Sequence, residues 1–243
     1  MEAQSSLNGF VRDLSELLAK NPSQEKIFAE GAVLVKELIS SPDFTRDLLE
    51  HLALDAGFAA DFFPAIDPND ITLYRDPEGA FSIRLFIWES NTPYPPHDHG
   101  SWGIVGGLAG RTRELKYRRL DKGDKPGYSE LTISSESVLL PGQITFVLPI
   151  DEGIHSMSPY EDSTSISLHV YGRAIRKGFI QGYHPATNQV FRIYSPKQLH
   201  RVTALHALGA IDRDWARDIL STLSQDSSPL IREEALLARK TNP

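Results

Sequence analysis

The spacing of hydrophobic residues changes twice along this chain of 243 residues. Apolar residues recur every three to four positions up to about residue 54, alternate from about residue 71 to 194, and return to helical spacing after Pro196. The first spacing is typical of amphipathic helices, whereas alternation is typical of strands with one buried face. The sequence therefore predicts a β-rich centre with helical flanks.

The N-terminal flank predicts three helices. Apolar positions recur within 10–18 and 27–38, and the sequence Ser41-Pro42-Asp43 precedes a third helix that we place at 44–54. Serine suits the N-cap, proline suits the first helical position, and aspartate suits the positive end of the helix dipole.

The central part predicts eight short strands separated by turn sequences. They are Ile71–Arg75, Ala80–Glu89, Ser101–Leu108, Thr112–Leu120, Tyr128–Ser135, Ile144–Leu148, Ser163–Tyr171 and Val190–Tyr194. Short strands with regular turns are typical of antiparallel barrels and jelly rolls, whose interior can be a ligand cavity. We expect an N-terminal helical segment over 1–65, a jelly-roll β-barrel over 66–195 and a C-terminal helical extension over 196–243.

The C-terminal extension leaves two interpretations open. Residues 203–240 loosely resemble one HEAT-type helical repeat, but a lone repeat cannot bury its own apolar face. The other interpretation is that these helices pack on the barrel or on a second subunit. A homodimer formed through the helical flanks is therefore a further expectation.

Composition restricts the chemistry and the partners. The chain has no cysteine, which excludes disulfides, thiolate ligands and a cysteine nucleophile, so redox chemistry needs a bound metal or cofactor. A net charge of −7 argues against nucleic acid as a partner. No apolar run has the length of a membrane helix, and the N-terminus lacks the apolar segment of a signal peptide, so we expect a cytoplasmic protein without a membrane partner.

A histidine pair, His97 and His99, is the first candidate metal site. On extended backbone, residues two apart point to the same side, so both rings could reach one ion while Asp98 points away. The short His-x-His pattern is unspecific by itself. Its position between a proline-rich turn and a glycine-rich strand favours a metal site.

A third ligand is predicted at His155, shortly after the sixth strand. An antiparallel barrel could return this residue to the same cavity. Three imidazoles suit iron, zinc, copper or nickel, so the ligand type does not select the metal. Three neutral ligands leave the charge of a divalent ion uncompensated, which favours an anionic substrate such as a thiolate.

The alternation in the strand 163–171 has two interpretations. Ser167, His169 and Tyr171 share one face, and the aliphatic residues between them share the other. The polar face could lie in water. Alternatively, it could line a polar barrel interior, where the three side chains form a hydrogen-bonded relay that ends in a phenol.

These motifs resemble the thiol dioxygenases, the cupin family that contains cysteine dioxygenase and 3-mercaptopropionate dioxygenase. The resemblance spans about residues 71–172 and depends on the order His-x-His, single His, Ser-x-His-x-Tyr. It implies a cupin barrel with Fe(II) on His97, His99 and His155, although zinc or nickel could occupy these ligands in a purified sample. It further implies that Ser167, His169 and Tyr171 form an outer-sphere catalytic triad.

The resemblance also implies a reaction, and it relates Arg75 and Gly103 to two positions of the family. A small thiol would be oxidised by O2 to a sulfinic acid, and Arg75 in Tyr74-Arg75 resembles the arginine that holds the substrate carboxylate. Arg75 could instead only begin a turn with Asp76, and Arg173 and Arg176 are the other candidates for holding the carboxylate. Gly103 stands where animal cysteine dioxygenases have the cysteine that cross-links to the triad tyrosine.

Two other functions stay open at this point. The same three-histidine site could serve a cupin oxygenase that acts on a non-thiol substrate. The chain could also be a non-catalytic module that binds a metal or a ligand.

Overall fold

The computed structural model describes residues 2–54, 69–90, 94–176 and 178–241. The predicted boundary between residues 65 and 66 lies outside these ranges. The chain forms two compact units: one comprises 1–175 and 180–192, and the other comprises 176–179 and 193–243.

The described residues 2–54 form three helices, as the apolar spacing predicts. They are α1 (Glu2–Ala19), α2 (Gln24–Ile39) and α3 (Pro42–Leu54). The Ser41 hydroxyl oxygen accepts a hydrogen bond from the Phe44 backbone N–H at 3.4 Å, which is the N-cap contact expected of this serine.

Ten strands follow. They are β1 (Asp70–Arg75), β2 (Phe81–Trp88), β3 (Gly103–Ala109), β4 (Thr112–Arg119), β5 (Leu131–Leu139), β6 (Ile144–Val147), β7 (His155–Pro159), β8 (Ser165–Gly172), β9 (Phe179–His184) and β10 (Gln189–Tyr194). A short 3-10 turn, Ile150–Gly153, precedes β7.

The strands form two principal antiparallel sheets. One has the order β1-β2-β8-β3-β6 and the other has the order β5-β4-β7, while β9 pairs with β10. Strands distant in sequence, such as β2 and β8, are neighbours in space, as in the Greek-key crossovers of a jelly roll. The predicted fold class, a cupin-type jelly roll with helical flanks, is confirmed.

Strand β8 separates two apolar layers. Ile166, Leu168 and Val170 belong to a core that includes residues of α1, α2 and α3, so the helices cover the outer face of the larger sheet. Tyr171 belongs to a second cluster with Trp88 and other inward-facing residues. Both faces of β8 are buried, which excludes the interpretation that its polar face lies in water.

The strand predictions differ from the structure at three places. Strand β5 begins at Leu131 rather than Tyr128 and continues to Leu139, because its exposed polar residues still pair along β4. The short strands β7 and β9 were not predicted. β7 contains two serines and ends at a proline, so local β propensity gives little signal there.

The second unit contains three further helices, α4 (Pro196–Gly209), α5 (Asp214–Leu223) and α6 (Pro229–Thr241). They share an apolar cluster that includes Val202, Leu220 and Ile231. Glu234 is buried in this unit, where its Oε1 accepts a hydrogen bond from Tyr194 Oη at 2.8 Å. Among the described residues, no helix is both long and apolar enough to span a membrane.

Candidate metal centre

Backbone pairing brings the predicted histidine ligands together. The His97 N–H donates to the His155 carbonyl oxygen at 2.9 Å, and the His155 N–H donates to the His97 carbonyl oxygen at 3.0 Å. The two residues are therefore directly opposite in an antiparallel bridge, although 58 positions separate them in the chain. The return of the chain at β7, which contains His155, creates the site.

The rings of His97, His99 and His155 form one buried cluster. Their centroids are 4.7 Å (His97 to His99), 5.1 Å (His97 to His155) and 5.0 Å (His99 to His155) apart. One potential ligand atom from each residue lies within 4.8 Å of the other two, so this group could hold a metal ion. Among the described residues, no carboxylate belongs to this ligand group.

The geometry of the nitrogens fits a metal ion. His99 Nε2 and His155 Nε2 are 2.9 Å apart. Two imidazole nitrogens about 2.0–2.1 Å from one ion, at a right angle, would be separated by about 2.9 Å. A single ion could therefore accept the lone pairs of both nitrogens.

Hydrogen bonds orient two of the three rings. His97 Nδ1 lies 3.0 Å from the Pro95 carbonyl oxygen, and His155 Nδ1 lies 2.9 Å from Glu114 Oε1. Both oxygens accept hydrogen bonds, so each Nδ1 carries the proton and each Nε2 presents its lone pair to the cluster. This is the tautomer that a metal ligand needs.

Burial keeps the His97 and His99 rings uncharged. Burial, together with the neighbouring His155, lowers the pKa of His97 to about 3. Burial also lowers the pKa of His99 well below its usual range, and nearby His97, His155, His169 and Arg84 contribute in the same direction. Neutral imidazoles can bind a cation at neutral pH without first releasing protons.

Asp98 lies between the two histidines and takes no part in the cluster. Its Oδ1 accepts a hydrogen bond from the Gln181 N–H at 2.8 Å, and its own N–H donates to the Gln181 carbonyl oxygen at 3.0 Å. The carboxylate thus anchors the histidine segment to β9. As predicted, it points away from the rings.

The three polar residues of β8 form a buried relay that begins at Trp88. Trp88 Nε1 donates to Ser167 Oγ at 2.8 Å, Ser167 Oγ lies 2.7 Å from His169 Nε2, and His169 Nδ1 lies 2.8 Å from Tyr171 Oη. Sequence reasoning treated Trp88 only as a core residue. The register that pairs Trp88 with Ser165 and Phe86 with Ser167 places the indole beside the serine.

An indole N–H can only donate, so Ser167 Oγ accepts the hydrogen bond from Trp88, and only one direction of the relay then gives both the serine and the histidine proton an acceptor. Ser167 accepts that hydrogen bond and donates its own proton to His169 Nε2. His169 then carries its proton on Nδ1 and donates to Tyr171 Oη. The phenol proton of Tyr171 is therefore left available to a ligand.

Tyr171 joins the relay to the histidine cluster. Its ring stacks on the His99 ring with centroids 4.7 Å apart and planes 20° apart. Burial raises the pKa of Tyr171 well above its usual range, and Asp70, Tyr94 and Glu114 add to that rise, while Arg84 opposes it. The phenol is therefore protonated at neutral pH and can donate a hydrogen bond.

The space beside Tyr171 depends on Gly103 of β3. A Cβ atom at this position would lie 2.9 Å from Tyr171 Cδ1 and Cε1. The glycine therefore permits the close approach of the tyrosine ring. Gly103 is also directly opposite Tyr171 in the pairing of β3 with β8.

Arg84 contacts the relay. The Arg84 guanidinium carbon lies 5.8 Å from the centroid of the Tyr171 ring, and Arg84 Nη1 donates to Asp70 Oδ2 at 2.6 Å. Arg75 is exposed at the end of β1, opposite Ser82. The role predicted for Arg75 in binding a carboxylate stays a prediction.

Sequence reasoning missed three residues around the site, Glu114, Arg84 and Asp70. Arg84 is the one charged residue in the apolar strand β2, which is a signal that could have drawn attention to it. Glu114 gives no comparable signal, because β4 contains several charged residues and only Glu114 among them is fully buried.

Comparison with known proteins found solved structures that are similar to part of this chain. No family model matches the chain. A cupin 2 conserved barrel domain protein from Rhodopseudomonas palustris is 16% identical with a TM-score of 0.36, over 49% of this chain and 68% of that protein. An RmlC-like cupin protein from Ralstonia eutropha is 14% identical with a TM-score of 0.34, over 55% of this chain and 72% of that protein.

An acetylacetone dioxygenase from Acinetobacter johnsonii is 11% identical to this chain with a TM-score of 0.34, over 54% of this chain and 73% of that protein. The assignment of the fold depends on the strand order of this chain, not on these similarities. By that strand order, the chain contains a cupin-type jelly roll, and its interior contains a three-histidine group that could hold a metal ion.

Proposed function

We propose that the chain is a mononuclear non-heme iron dioxygenase that oxidises a small thiol to a sulfinic acid. The observation that carries the proposal is the contact between Tyr171 and His99, with ring centroids 4.7 Å apart. It joins a hydrogen-bonded relay that ends in an available phenol proton to a group of three imidazoles. A plain structural metal site would not need such a proton donor.

The proposed reaction is balanced without a further reductant. A thiol R–SH and one O2 give R–SO2H, so sulfur is oxidised, dioxygen is reduced, and both oxygen atoms stay in the product. His97, His99 and His155 would hold Fe(II), which supplies the electrons that activate dioxygen and a binding position for the thiolate. The protein supplies position, proton donors and the exclusion of water.

Each residue of the relay has a separate task in this proposal. Tyr171 donates a hydrogen bond to the substrate or to dioxygen. His169 holds the phenol oxygen in place through its Nδ1–H, 2.8 Å away. Ser167 and Trp88 keep His169 in the required tautomer.

An anionic group on the substrate would be held by an arginine. Arg84 is supported by its contact with the Tyr171 ring, whereas Arg75 is supported by the family resemblance. The guanidinium of either residue could pair with both oxygens of a carboxylate. Asp70 already binds Arg84, so it would position the guanidinium rather than be displaced.

Oxygen uptake after anaerobic loading with Fe(II) tests the proposal. Cysteine, 3-mercaptopropionate and cysteamine are compared in parallel, and the sulfinate product is quantified. We expect uptake coupled one-to-one to sulfinate for at least one thiol. Uptake with non-thiol compounds alone, or metal binding without any uptake, would reject a thiol dioxygenase and favour the non-thiol oxygenase or the binding module, respectively.

A further inference from the structure

Glu114 is a fully buried carboxylate next to the candidate metal centre. Its side chain is 0% exposed, in contrast to that of Lys116, which is 37% exposed on the same strand. Oε1 faces His155 Nδ1 at 2.9 Å, and Oε2 accepts a hydrogen bond from Thr145 Oγ1 at 2.8 Å. Both oxygens of the carboxylate are therefore held in place.

Strand pairing fixes this contact. On the β4–β7 pair, Glu114 is opposite Met157 and Lys116 is opposite His155, so Glu114 is the diagonal neighbour of the histidine. The Tyr117 N–H also donates to the Ile154 carbonyl oxygen at 2.8 Å, which holds the strand that follows Glu114 to the residue before His155. The carboxylate and the imidazole are thus on rigid, hydrogen-bonded strands.

Burial of a carboxylate requires compensation for its lost hydration. Lys116 Nζ is 3.8 Å from Glu114 Oε2, which is longer than a hydrogen bond. The two close partners of the carboxylate are an imidazole N–H and a hydroxyl group. A divalent cation on the opposite nitrogen of the same imidazole would compensate the charge of the carboxylate.

The two histidines whose orientation is fixed differ in their partners. His97 donates to a neutral backbone carbonyl, that of Pro95, whereas His155 donates to a carboxylate. An anionic acceptor makes an imidazole a stronger donor to a metal than a neutral acceptor does. His155 is therefore the ligand through which the protein could adjust the properties of the metal.

We propose that Glu114 is a positioning residue that fixes the tautomer of His155 and strengthens it as a metal ligand. The inference depends on the metal centre of the proposed function but not on the choice of substrate. It predicts tighter binding of the divalent ion and a lower reduction potential for bound iron than a neutral residue would give. Thr145 supports this role by holding the second carboxylate oxygen.

Measurements of metal binding and reduction potential test this inference without any substrate. Glu114→Gln keeps the size of the side chain and an acceptor oxygen but removes the charge. We expect Fe(II) to bind about tenfold to a hundredfold more weakly, as observed for loss of outer-shell partners of other metal ligands. The potential of the iron should rise relative to wild type. Binding is measured anaerobically by competition with a chelator.

Two further variants complete the test. Glu136→Gln removes the same charge from the neighbouring strand, where Glu136 is exposed and paired with Arg113, so it should leave affinity and potential unchanged. Thr145→Val, which keeps Glu114, should shift both quantities in the same direction as Glu114→Gln but less. It also provides an independent answer if Glu114→Gln does not fold.

The outcomes separate this inference from the proposed function. Wild-type affinity and potential in the folded Glu114→Gln and Thr145→Val variants would overturn the role of Glu114, whatever the enzyme oxidises. Iron binding that responds to these substitutions, without thiol oxidation by the wild type, would support Glu114 and reject the thiol dioxygenase. Failure of the wild type to bind any divalent metal would overturn both.

Discussion

At the scale of single residues, substitution of a histidine ligand should reduce metal binding and oxygen uptake far more than substitution of Arg75. His155→Ala removes a ligand that is 2% exposed and faces His99 Nε2 at 2.9 Å, so we expect metal binding and oxygen uptake to fall by more than about a hundredfold. Arg75→Ala changes an exposed residue and should retain most of both. Metal analysis and oxygen uptake check this, and equal, slight effects of the two substitutions would contradict it.

Arg84 should affect substrates selectively, because its charge is needed only by an anionic substrate. Arg84→Gln should raise the KM for 3-mercaptopropionate by roughly tenfold to a hundredfold, which corresponds to the loss of a charged hydrogen bond of about 1.5–3 kcal/mol. Cysteamine lacks a carboxylate, so its KM should change much less. A similar change for both thiols would indicate that Arg84 acts only through Asp70 and Tyr171.

At the scale of elements, strand β3 must stay close to β8. Gly103→Ala would place Cβ 2.9 Å from Tyr171 Cδ1 and 3.3 Å from Val147 Cβ, so the tyrosine ring has to shift from its present position against His99. We expect a loss of about 1–3 kcal/mol in the free energy of unfolding, together with a lower kcat. Denaturant unfolding and steady-state kinetics measure the two effects.

A glycine on helix α1 provides the matched control for Gly103. A Cβ at Gly9 meets nothing within 4 Å, so Gly9→Ala should raise the free energy of unfolding by about 0.5–1 kcal/mol through helix propensity alone. Its kcat should equal that of wild type. A similar loss of kcat in both variants would show that glycine flexibility, rather than space beside Tyr171, is what matters.

At the scale of the whole molecule, the buried neutral histidines make stability depend on pH. The pKa of His97 is lowered to about 3 in the folded protein, from a usual value of 6.5. Between these values only the unfolded chain binds the proton, so the free energy of unfolding of the metal-free protein should decrease as pH falls below 6.5. The slope is about 1.4 kcal/mol per pH unit for each histidine that titrates fully.

Substitution of one buried histidine should reduce that slope. His97→Gln removes one group that takes up a proton only on unfolding, whereas His184→Gln changes an exposed residue and should leave the slope close to that of wild type. Thermal or denaturant unfolding at pH 5, 6 and 7 provides the comparison. An unchanged slope in His97→Gln would contradict the assignment of His97 as a buried neutral imidazole.

The helical flanks raise the question of assembly at the same scale. Trp215 is 53% exposed and Leu236 is 48% exposed, so both apolar side chains are available to an interface with a second copy. We expect a homodimer that contains such residues in its interface, and Trp215→Ser should shift it toward monomer. Sedimentation velocity measures the mass of both forms, and a monomeric wild type at micromolar concentration would reject the dimer.

The sequence by itself determined the classes of element and the identities of the candidate ligands. Apolar spacing is a local property, so it predicted the helices of both flanks and most strands, and the His-x-His pattern indicated a metal site through strand geometry alone. Weak local patterns, such as the serine-rich segment of β7, gave no strand signal. For the polar face that contains Ser167, His169 and Tyr171, the alternation left two alternatives open: exposure to water, or a hydrogen-bonded relay inside the barrel.

Only the tertiary structure decided between those alternatives, because the contacts of the site join residues far apart in the chain. Pairing of β2 with β8 places Trp88 on Ser167, and pairing of β4 with β7 places Glu114 beside His155. Helices α1 to α3 cover the aliphatic face of β8, which leaves its polar face for the barrel interior. The burial of a polar group depends on what covers it, and that information is absent from the alternation of a single strand.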